Sequence, residues 1–349
     1  MSATKIALPE FIESMAALDE VLSRPSEGLI ESFRHLNGDI LILGAGGKMG
    51  PSLAELTARA VAASGVQRRI TAVSTFSQAG LRERLESLGI ATHRADILAP
   101  GAIDALPDAG NIIYMIGRKF GSTGAEWDTW ATNVFAAGKI VERFHGSRIV
   151  SFSSGNIYPF VPSDSSGATE QTLPNPVGEY AMTCLGRERM FDYAAHHHGA
   201  QVLHYRLNYA VELRYGVLLD IAQQVWNEKP IDVTMGFANC IWQGYANAVA
   251  LRCFAHVAAP AAILNVTGLE RLSIRELAHR FGGLLGKEPV LRGTEAQTAL
   301  LSDASKCRRL FGAPDVDTDT LCRWIAHWVK TGGSTLAKPT HFQSRDGKF

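Results

Sequence analysis

The sequence predicts an α/β protein with a doubly wound parallel sheet, followed by a smaller mixed lobe. Short apolar runs alternate with helical segments from residue 39 to residue 208. A glycine-rich segment joins the first apolar run to the first helix, and after residue 208 helices dominate. Strands separated by helices of this length pair in parallel through right-handed crossovers, so helices are expected on both faces of the sheet.

Six strands are expected in that sheet, at 39–43, 70–74, 91–96, 111–117, 148–154 and 202–208. Helical periodicity predicts the intervening helices at 51–64, 77–89, 125–144 and 178–198. Pro51 favours a helix start at that point, because the missing N–H costs little in the first turn.

The composition favours small molecules as partners. Of the 349 residues, 46% are hydrophobic, which is enough for an ample core. The 34 Lys and Arg residues balance 34 Asp and Glu residues, so no net charge attracts nucleic acid or an anionic membrane.

The cysteines and the N-terminus indicate a cytoplasmic protein. The cysteines form neither a CxxC pair nor a metal-ligand spacing, so we expect reduced thiols and no metal site; they are Cys184, Cys240, Cys253, Cys307 and Cys322. The N-terminus lacks the basic and apolar regions of a signal peptide, and no apolar run approaches the ~20 residues of a membrane span.

The strongest motif is GAGGKMG, residues 44–50, between the first strand and the first helix. Gly44, Gly47 and Gly50 allow a tight turn, close approach to a pyrophosphate and close packing of helix on strand. The helix N-terminus adds free N–H groups and a positive dipole end. A glycine-rich turn without a ligand is the alternative. We expect NAD or NADP here, contacted by Gly44, Gly46, Gly47, Lys48, Met49 and Gly50.

The choice between NAD and NADP stays open. Ser74 ends the second strand, where a carboxylate would select NAD by binding the ribose hydroxyls. Arg82 and Arg84 follow on a helix, where arginines are more often solvated than bound to a 2′-phosphate. Asp96, before Ile97, is positioned to accept a hydrogen bond from adenine, or to cap a helix.

The chain is divided by these patterns into four parts. Residues 1–37 are expected as an N-terminal helical extension, 38–208 as a Rossmann domain for the dinucleotide, 209–330 as a substrate-binding lobe interleaved with it, and 331–349 as an extended tail. The substrate-binding lobe has expected helices at 216–228, 244–257, 273–286 and 320–329, and strand candidates at 231–234 and 262–268.

From Asp39 to Val329 the chain resembles the extended short-chain dehydrogenases/reductases of the NAD-dependent epimerase/dehydratase family. The glycines match the GxxGxxG of that family, and Asp96 with Ile97 matches its adenine contact. YMIG, residues 114–117 with Ile116 and Gly117, lies where the family has its segment beside the cofactor. Further matches are Asn133 on a helix, SFSSGNIY (151–158) with Ser154, and RLNYAVE (206–212).

The resemblance implies that Ser154 and Tyr180 flank the reacting carbon of a sugar-like substrate. Oxidation of an alcohol needs a base for the hydroxyl proton and a donor that holds the oxygen. A tyrosine with a pKa of about 10 becomes a base only if that pKa falls. In the family a lysine four residues later provides the charge, and here that position is Cys184.

Three interpretations of Cys184 remain open. In the first, the positive charge beside Tyr180 comes from another group, such as the oxidised cofactor, Arg187 or Lys139. In the second, a neutral Tyr180 serves as an acid in reduction or elimination. In the third, the fold binds a dinucleotide or sugar without turnover. A nucleophilic cysteine is disfavoured, because no histidine lies three or four residues away.

The sequence thus predicts an NAD(P)-dependent oxidoreductase or epimerase acting on a sugar, sugar acid or nucleotide-sugar. The alternative is a catalytically impaired dinucleotide- or sugar-binding protein. Catalytic residues are expected to be Ser154, Tyr180 and Asn133, with Cys184 at the lysine position, and substrate contacts to be Asn156, Asn208, Glu212 and Trp242. The family commonly dimerises through the Asn133 and Tyr180 helices, so a homodimer is expected.

Overall fold

Seven parallel strands form the central sheet of the computed structural model, which describes residues 8–119, 121, 123–338 and 340–348. They are β1 (Ile40–Leu43), β2 (Ile70–Ser74), β3 (Ala91–Arg94), β4 (Asn111–Tyr114), β5 (Arg148–Ser154), β7 (Gln201–Leu207) and β12 (Ala262–Val266). Their spatial order is β12-β7-β5-β4-β1-β2-β3. The predicted doubly wound sheet is therefore confirmed.

Eight two-residue strands pair outside the sheet in the described part of the chain. They are β6 (Val161–Pro162) with β15 (Thr298–Ala299), β8 (Ala210–Val211) with β11 (Ile241–Trp242), β9 (Ile231–Asp232) with β14 (Leu291–Arg292), and β10 (Phe237–Ala238) with β13 (Leu272–Ser273).

The sheet has one strand more than predicted. The segment 262–268 was expected as a strand of the substrate-binding lobe, but β12 pairs in parallel with β7, with Ala262 opposite Leu203. An apolar strand can pair with any exposed edge of a sheet, and the residues of the segment 262–268 do not indicate which edge that is. β3 and β4 end two and three residues earlier than expected.

Twelve α-helices surround the strands in the described residues. They are α1 (Met15–Leu22), α2 (Glu27–His35), α3 (Gly50–Ser64), α4 (Leu81–Ser87), α5 (Glu126–Trp130), α6 (Ala136–Phe144), α7 (Glu179–His198), α8 (Val217–Trp226), α9 (Gln243–Arg252), α10 (Ile274–Leu285), α11 (Ser305–Phe311) and α12 (Thr318–Lys330). None of them is long and apolar enough to cross a bilayer.

Two hydrophobic clusters cover the two faces of the sheet. On one face Phe33 of α2, Leu53 of α3 and Val249 of α9 pack against the strands. On the other face Ile140 of α6 and Phe191 of α7 do so. The sheet is therefore covered on both sides, as the alternation of strands and helices predicted.

A third hydrophobic cluster lies in the C-terminal lobe. It contains Leu218 of α8, Leu277 of α10 and Trp324 of α12, and Leu18 of α1 joins them from the N-terminal extension. Phe342 of the tail is also buried in this cluster. The tail therefore packs on the lobe.

A buried ion pair ties α7 to the sheet. Arg206 of β7 donates to both carboxylate oxygens of Glu188 on α7, over 3.0 and 2.7 Å. Arg206 also donates to the Tyr158 hydroxyl (2.7 Å), which donates to Asn265 of β12 (2.8 Å). Burial alone would raise the pKa of Glu188, but the charges of His204 and Arg206 and the hydrogen bonds outweigh it, so that pKa is lowered.

We expect Glu188→Ala to lower the free energy of unfolding by ~3–5 kcal/mol, because the substitution leaves Arg206 buried and unpaired. Urea unfolding followed by circular dichroism measures the change. Glu142→Ala, at an exposed position of α6, is the control and should change stability by ~0.5 kcal/mol or less.

Since the pKa of Glu188 is lowered by folding, the contribution of Glu188 to the free energy of unfolding is present at neutral pH. It is lost as the pH falls below the unfolded pKa of ~4.3. Equal losses in the two variants would contradict this role of the ion pair.

Candidate active site

The glycine turn between β1 and α3 has the geometry that its motif predicts. Gly44 has φ +91°, and a Cβ there would lie 2.9 Å from the backbone nitrogen of Ile116. A Cβ at Gly50 would collide with the backbone of Ala45, so this glycine lets α3 pack closely. A Cβ at Gly47 would meet only the Gly44 carbonyl oxygen, at 3.3 Å. Gly47 is exposed and faces open space, so the backbone there is accessible to a ligand.

Two cavities meet at this turn. The outer cavity, about 290 Å³, lies at the ends of β2 and β3, and the inner cavity, about 280 Å³, lies at the ends of β5 and β7. Both are lined by Gly44, Gly47, Met115 and Gly117, so together they form one cleft along the carboxyl edge of the sheet. Ligands of doubly wound folds bind at this edge.

The outer cavity collects most of the residues expected to bind the cofactor. Its lining includes Gly46, Ser74, Asp96, Ile97 and Ile116. Asp96 accepts a hydrogen bond from the Leu98 amide over 3.0 Å, and it is the only charged residue in the described lining.

The two arginines considered for a 2′-phosphate are paired elsewhere. Arg82 binds Glu86 over 2.9 Å, whereas Arg84 binds Glu55 and Asp19 over 2.6 and 2.7 Å. Neither lines the outer cavity, because the predicted helix, α4, turns these side chains toward its neighbours.

The inner cavity brings Ser154 and Tyr180 together. Ser154 ends β5, and its Oγ accepts a hydrogen bond from the Asn156 amide over 3.1 Å. Tyr180 lies in the first turn of α7, and the neighbouring side chains of Ser154 and Cys184 influence the pKa of its phenol. Both residues line the cavity.

Tyr180 is a neutral phenol in this environment. Burial raises its pKa, the neighbouring Cys184 raises it further, and Arg187 and the hydrogen bond from Ser154 oppose the shift without cancelling it. Burial also raises the pKa of the Cys184 thiol. The phenol is therefore ready to donate a proton, and it needs an added positive charge to act as a base.

Three cationic residues line the inner cavity. Arg187 donates to the backbone oxygens of Phe152 (2.5 Å) and Asn133 (3.3 Å). Lys48 donates to the Ala210 carbonyl oxygen over 2.6 Å, and burial lowers its pKa to about 7.

The third cation is Lys119, in the loop after β4. Its Nζ donates to the Thr340 carbonyl oxygen over 3.2 Å and lies 5.8 Å from the centroid of the Tyr180 ring. Sequence reasoning overlooked this residue. The available signal was its place in the loop after a parallel strand, at the sheet edge where ligands bind. Lys139, which the sequence offered instead, lies over the Phe135 ring and does not line the cavity.

Asn133 holds this loop instead of facing the cavity. Its Oδ1 accepts from the Arg118 amide (2.7 Å), and its Nδ2 donates to the Arg118 carbonyl (3.0 Å) and the Thr183 hydroxyl (2.9 Å). Asn133 lies in a π-helical turn, Ala131–Phe135, which divides the expected helix 125–144 into α5 and α6. Such turns often mark functional sites. The amide therefore ties the loop to α7.

Two of the four expected substrate residues reach the cavity. Asn156 and Asn208 line it, and the buried Nδ2 of Asn208 has no hydrogen-bond acceptor among the described residues. Glu212 and Trp242 are corrections. Glu212 is fully buried and accepts from the Arg214 amide and Nε, over 2.9 and 3.0 Å. Trp242 packs in the C-terminal lobe, with its ring centroid 5.8 Å from that of Trp324.

The C-terminal tail closes one side of the inner cavity. Thr340 lines it, and both the amide and the hydroxyl of Thr340 donate to Asp220 of α8, over 2.8 and 2.6 Å. The backbone of Gly347 packs against Gly178, directly before α7. The polar composition of the tail gave no indication of this contact.

The cysteines and histidines form no metal centre in the described residues. No group of three or more His, Cys, Asp or Glu side chains there is arranged to hold a metal ion, and all five cysteines are buried free thiols. His196, His197 and His198 are exposed at the end of α7, where they complement the helix dipole.

Comparison with known proteins establishes the fold. No family model matches the chain, and no curated protein is significantly similar to it. A structure of UDP-glucuronic acid 4-epimerase from Bacillus cereus, in complex with UDP-glucuronic acid and NAD, is 17% identical with a TM-score of 0.70, over 84% of this chain and 99% of that one.

Two further solved structures are similar over the same share of this chain, 84%. A short-chain dehydrogenase/reductase superfamily protein from Agrobacterium tumefaciens with bound NAD is 16% identical, with a TM-score of 0.68 over 97% of its length. UDP-glucose 4-epimerase from Thermotoga maritima with UDP-glucose is 13% identical, with a TM-score of 0.66 over 99% of its length. The chain therefore has the Rossmann-type α/β fold of these epimerases and dehydrogenases.

Proposed function

We propose that this protein is an NAD-dependent oxidoreductase or epimerase that acts on a secondary alcohol of a sugar, sugar acid or nucleotide-sugar. The observation that carries the proposal is that Ser154 and Tyr180 line one cavity, which is continuous with the glycine turn. Structures of similar fold contain NAD together with a UDP-linked sugar acid, which supports the same assignment. The free thiols of this protein are consistent with a cytoplasmic location, where thiols stay reduced.

The residues of the cleft fit a dinucleotide. The open backbone at Gly47 and the N-terminus of α3 suit a pyrophosphate, and Lys48 adds a positive charge beside them. Ser74 and Asp96 would bind the adenosine end, with Ile97, Ile116 and Gly117 as its walls. The bound nicotinamide would accept the hydride from the carbinol carbon and return it in the reverse direction.

Tyr180 and Ser154 would handle the oxygen of the substrate. In oxidation Tyr180 would first release its own proton to solvent, and the resulting phenolate would accept the proton of the substrate hydroxyl as that O–H bond breaks. The carbon would lose its hydrogen with the electron pair to the nicotinamide, and a carbonyl would form. Ser154 would donate a hydrogen bond to that oxygen in oxidation and in reduction. Asn156 and Asn208 are proposed as substrate contacts, since the unpartnered Asn208 Nδ2 is a buried donor at the cavity.

A second function is favoured by one observation. The neutral Tyr180 beside Cys184 is a poor base, as expected of a protein that binds a dinucleotide or sugar without turnover. Bound nicotinamide detected by mass spectrometry, combined with no reduction of NAD across a panel of sugars and sugar acids, would favour this alternative.

We further propose a homodimer through α5, α6 and α7. These helices pack together and leave large apolar side chains exposed: Trp127 at 69%, Phe135 at 59% and Tyr193 at 59%. A second copy packed on these helices would cover the exposed apolar side chains.

We expect Tyr180→Phe to lower turnover at least ~100-fold, because the phenyl ring cannot carry a proton. The affinity for NAD should change by less than ~3-fold, since the hydroxyl adds little to cofactor binding. Steady-state absorbance at the nicotinamide band and calorimetric titration with NAD measure the two effects. Tyr193→Phe, at an exposed position of the same helix, is the matched control and should keep both values. Full turnover of Tyr180→Phe would remove this residue from the mechanism.

We expect NAD to bind at least ~10-fold more tightly than NADP, because no described residue lining the outer cavity is cationic. Ser74→Arg should narrow this ratio by placing a guanidinium where a 2′-phosphate would lie. Ser87→Arg, at an exposed position of α4, adds the same charge away from the cavity and should leave the ratio unchanged. Calorimetric titration with both dinucleotides gives the ratios, and equal affinities in the wild type would contradict this reading of the cavity.

A further inference from the structure

We propose that Lys119 supplies the positive charge at Tyr180 that the helix position of Cys184 does not provide. The inference rests on the proposed function, and it assigns the proton transfer to residues from two different elements. Lys119 belongs to the loop after β4, whereas Tyr180 and Cys184 belong to α7.

The geometry places the lysine at the phenol. Lys119 Nζ lies 5.8 Å from the centroid of the Tyr180 ring, and both side chains line the inner cavity. Lys119 and Cys184 are close enough to influence each other's titration. A cation close to a tyrosine side chain stabilises its phenolate relative to its phenol.

The tail fixes the lysine in this position. Lys119 Nζ donates to the Thr340 carbonyl oxygen, and the amide and hydroxyl of Thr340 donate to Asp220. The carboxylate of Asp220 also favours the charged form of Lys119. The ammonium group is thus oriented by α8 through the tail.

The other cations of the cavity are committed to different partners. The Arg187 guanidinium donates to the Phe152 and Asn133 carbonyl oxygens, and it holds α7 against the sheet. Lys48 donates to Ala210 and lies 4.1 Å from the centroid of the Tyr215 ring. Arg187 also lowers the pKa of Tyr180, whereas Lys119 is the cation that lies over the Tyr180 ring and is held there by the tail.

The titration of Lys119 gives the proposal a pH signature. Burial lowers its pKa to about 8, while Cys184 and Asp220 oppose that shift. Among the described residues, the other charged and titratable groups at this cluster are Lys48, Arg187, Tyr180, Tyr209 and Tyr215, together with His341 beside Asp220. Lys119 is therefore charged below a pH of about 8 and loses its charge above it.

The first experiment measures the oxidation rate of the full chain. Lys119→Met should lower kcat at pH 7 by ~10–100-fold, the effect of one charge at this distance, with a smaller change in KM. Adding Cys184→Lys in the same chain should restore most of the loss, because the new ammonium stands one helical turn from Tyr180. Lys119→Arg should keep more activity than Lys119→Met. Lys139→Met is the matched control and should be unchanged, since Lys139 lies outside the cavity.

The pH profile separates this role from a structural one. In the wild type the rise of kcat/KM with pH should flatten near pH 8, where Lys119 loses its charge, and Lys119→Met should rise without that bend. Unchanged kcat in Lys119→Met, or a bend that survives in this variant, would overturn the proposal.

The second experiment needs neither cofactor nor substrate. Reductive methylation followed by peptide mass spectrometry gives the pH at which Lys119 becomes reactive, expected near 8 in the wild type. Cys184→Lys should lower that midpoint by ~1 pH unit, because a second ammonium group beside Tyr180 would repel the charged form of Lys119. Cys184→Ser, which adds no charge, is the control and should leave it nearly unchanged. An equal midpoint in the wild type and Cys184→Lys would show that Lys119 does not face Tyr180, whereas a wild type without turnover would count against the proposed function alone.

Discussion

The position of Tyr180 depends on the buried ion pair between Glu188 and Arg206. These residues join α7 to β7, and Tyr158 with Asn265 extends the network to β12. A buried charge without its partner costs folding free energy, so the ion pair favours the one arrangement of α7 and β7 in which both charges are paired. Glu188 lies two helical turns after Tyr180, so the network fixes the phenol against Ser154 at the end of β5. The chemistry of the cavity is thus set by a contact that does not line it.

A second constraint comes from the groups that hold the loop after β4. Asn133 satisfies both backbone groups of Arg118 and also bonds Thr183 on α7, so the loop and the helix keep one spacing. Lys119 follows directly in this loop. A charge required at a phenol can therefore come from the loop as well as from the helix, since the electrostatic effect depends on distance and burial and not on the chain position of its source.

The tail joins the two lobes of the molecule to the site. Phe342 is buried in the C-terminal cluster, while Thr340 reaches the inner cavity and binds both Asp220 and Lys119. Thr340 is part of the lining of the inner cavity, so docking of the tail shapes the space beside Ser154 and Tyr180 and orients one of the cations that line it.

The sequence by itself determined the alternating strands and helices and the glycine turn. These follow from local periodicity and from a motif whose residues are neighbours in the chain, so the physics that shapes them is local. Ser154 and Tyr180 were expected at the site because their segments resemble those of a known family. Only the tertiary structure decided that β12 joins the main sheet, that Glu212 and Trp242 are buried away from the cavity, and that Lys119 and Thr340 meet at Tyr180. The pairing of β12 with β7 and the contacts of Lys119 with Tyr180 and Thr340 join residues more than 50 positions apart, and their free energy comes from packing that no single segment encodes.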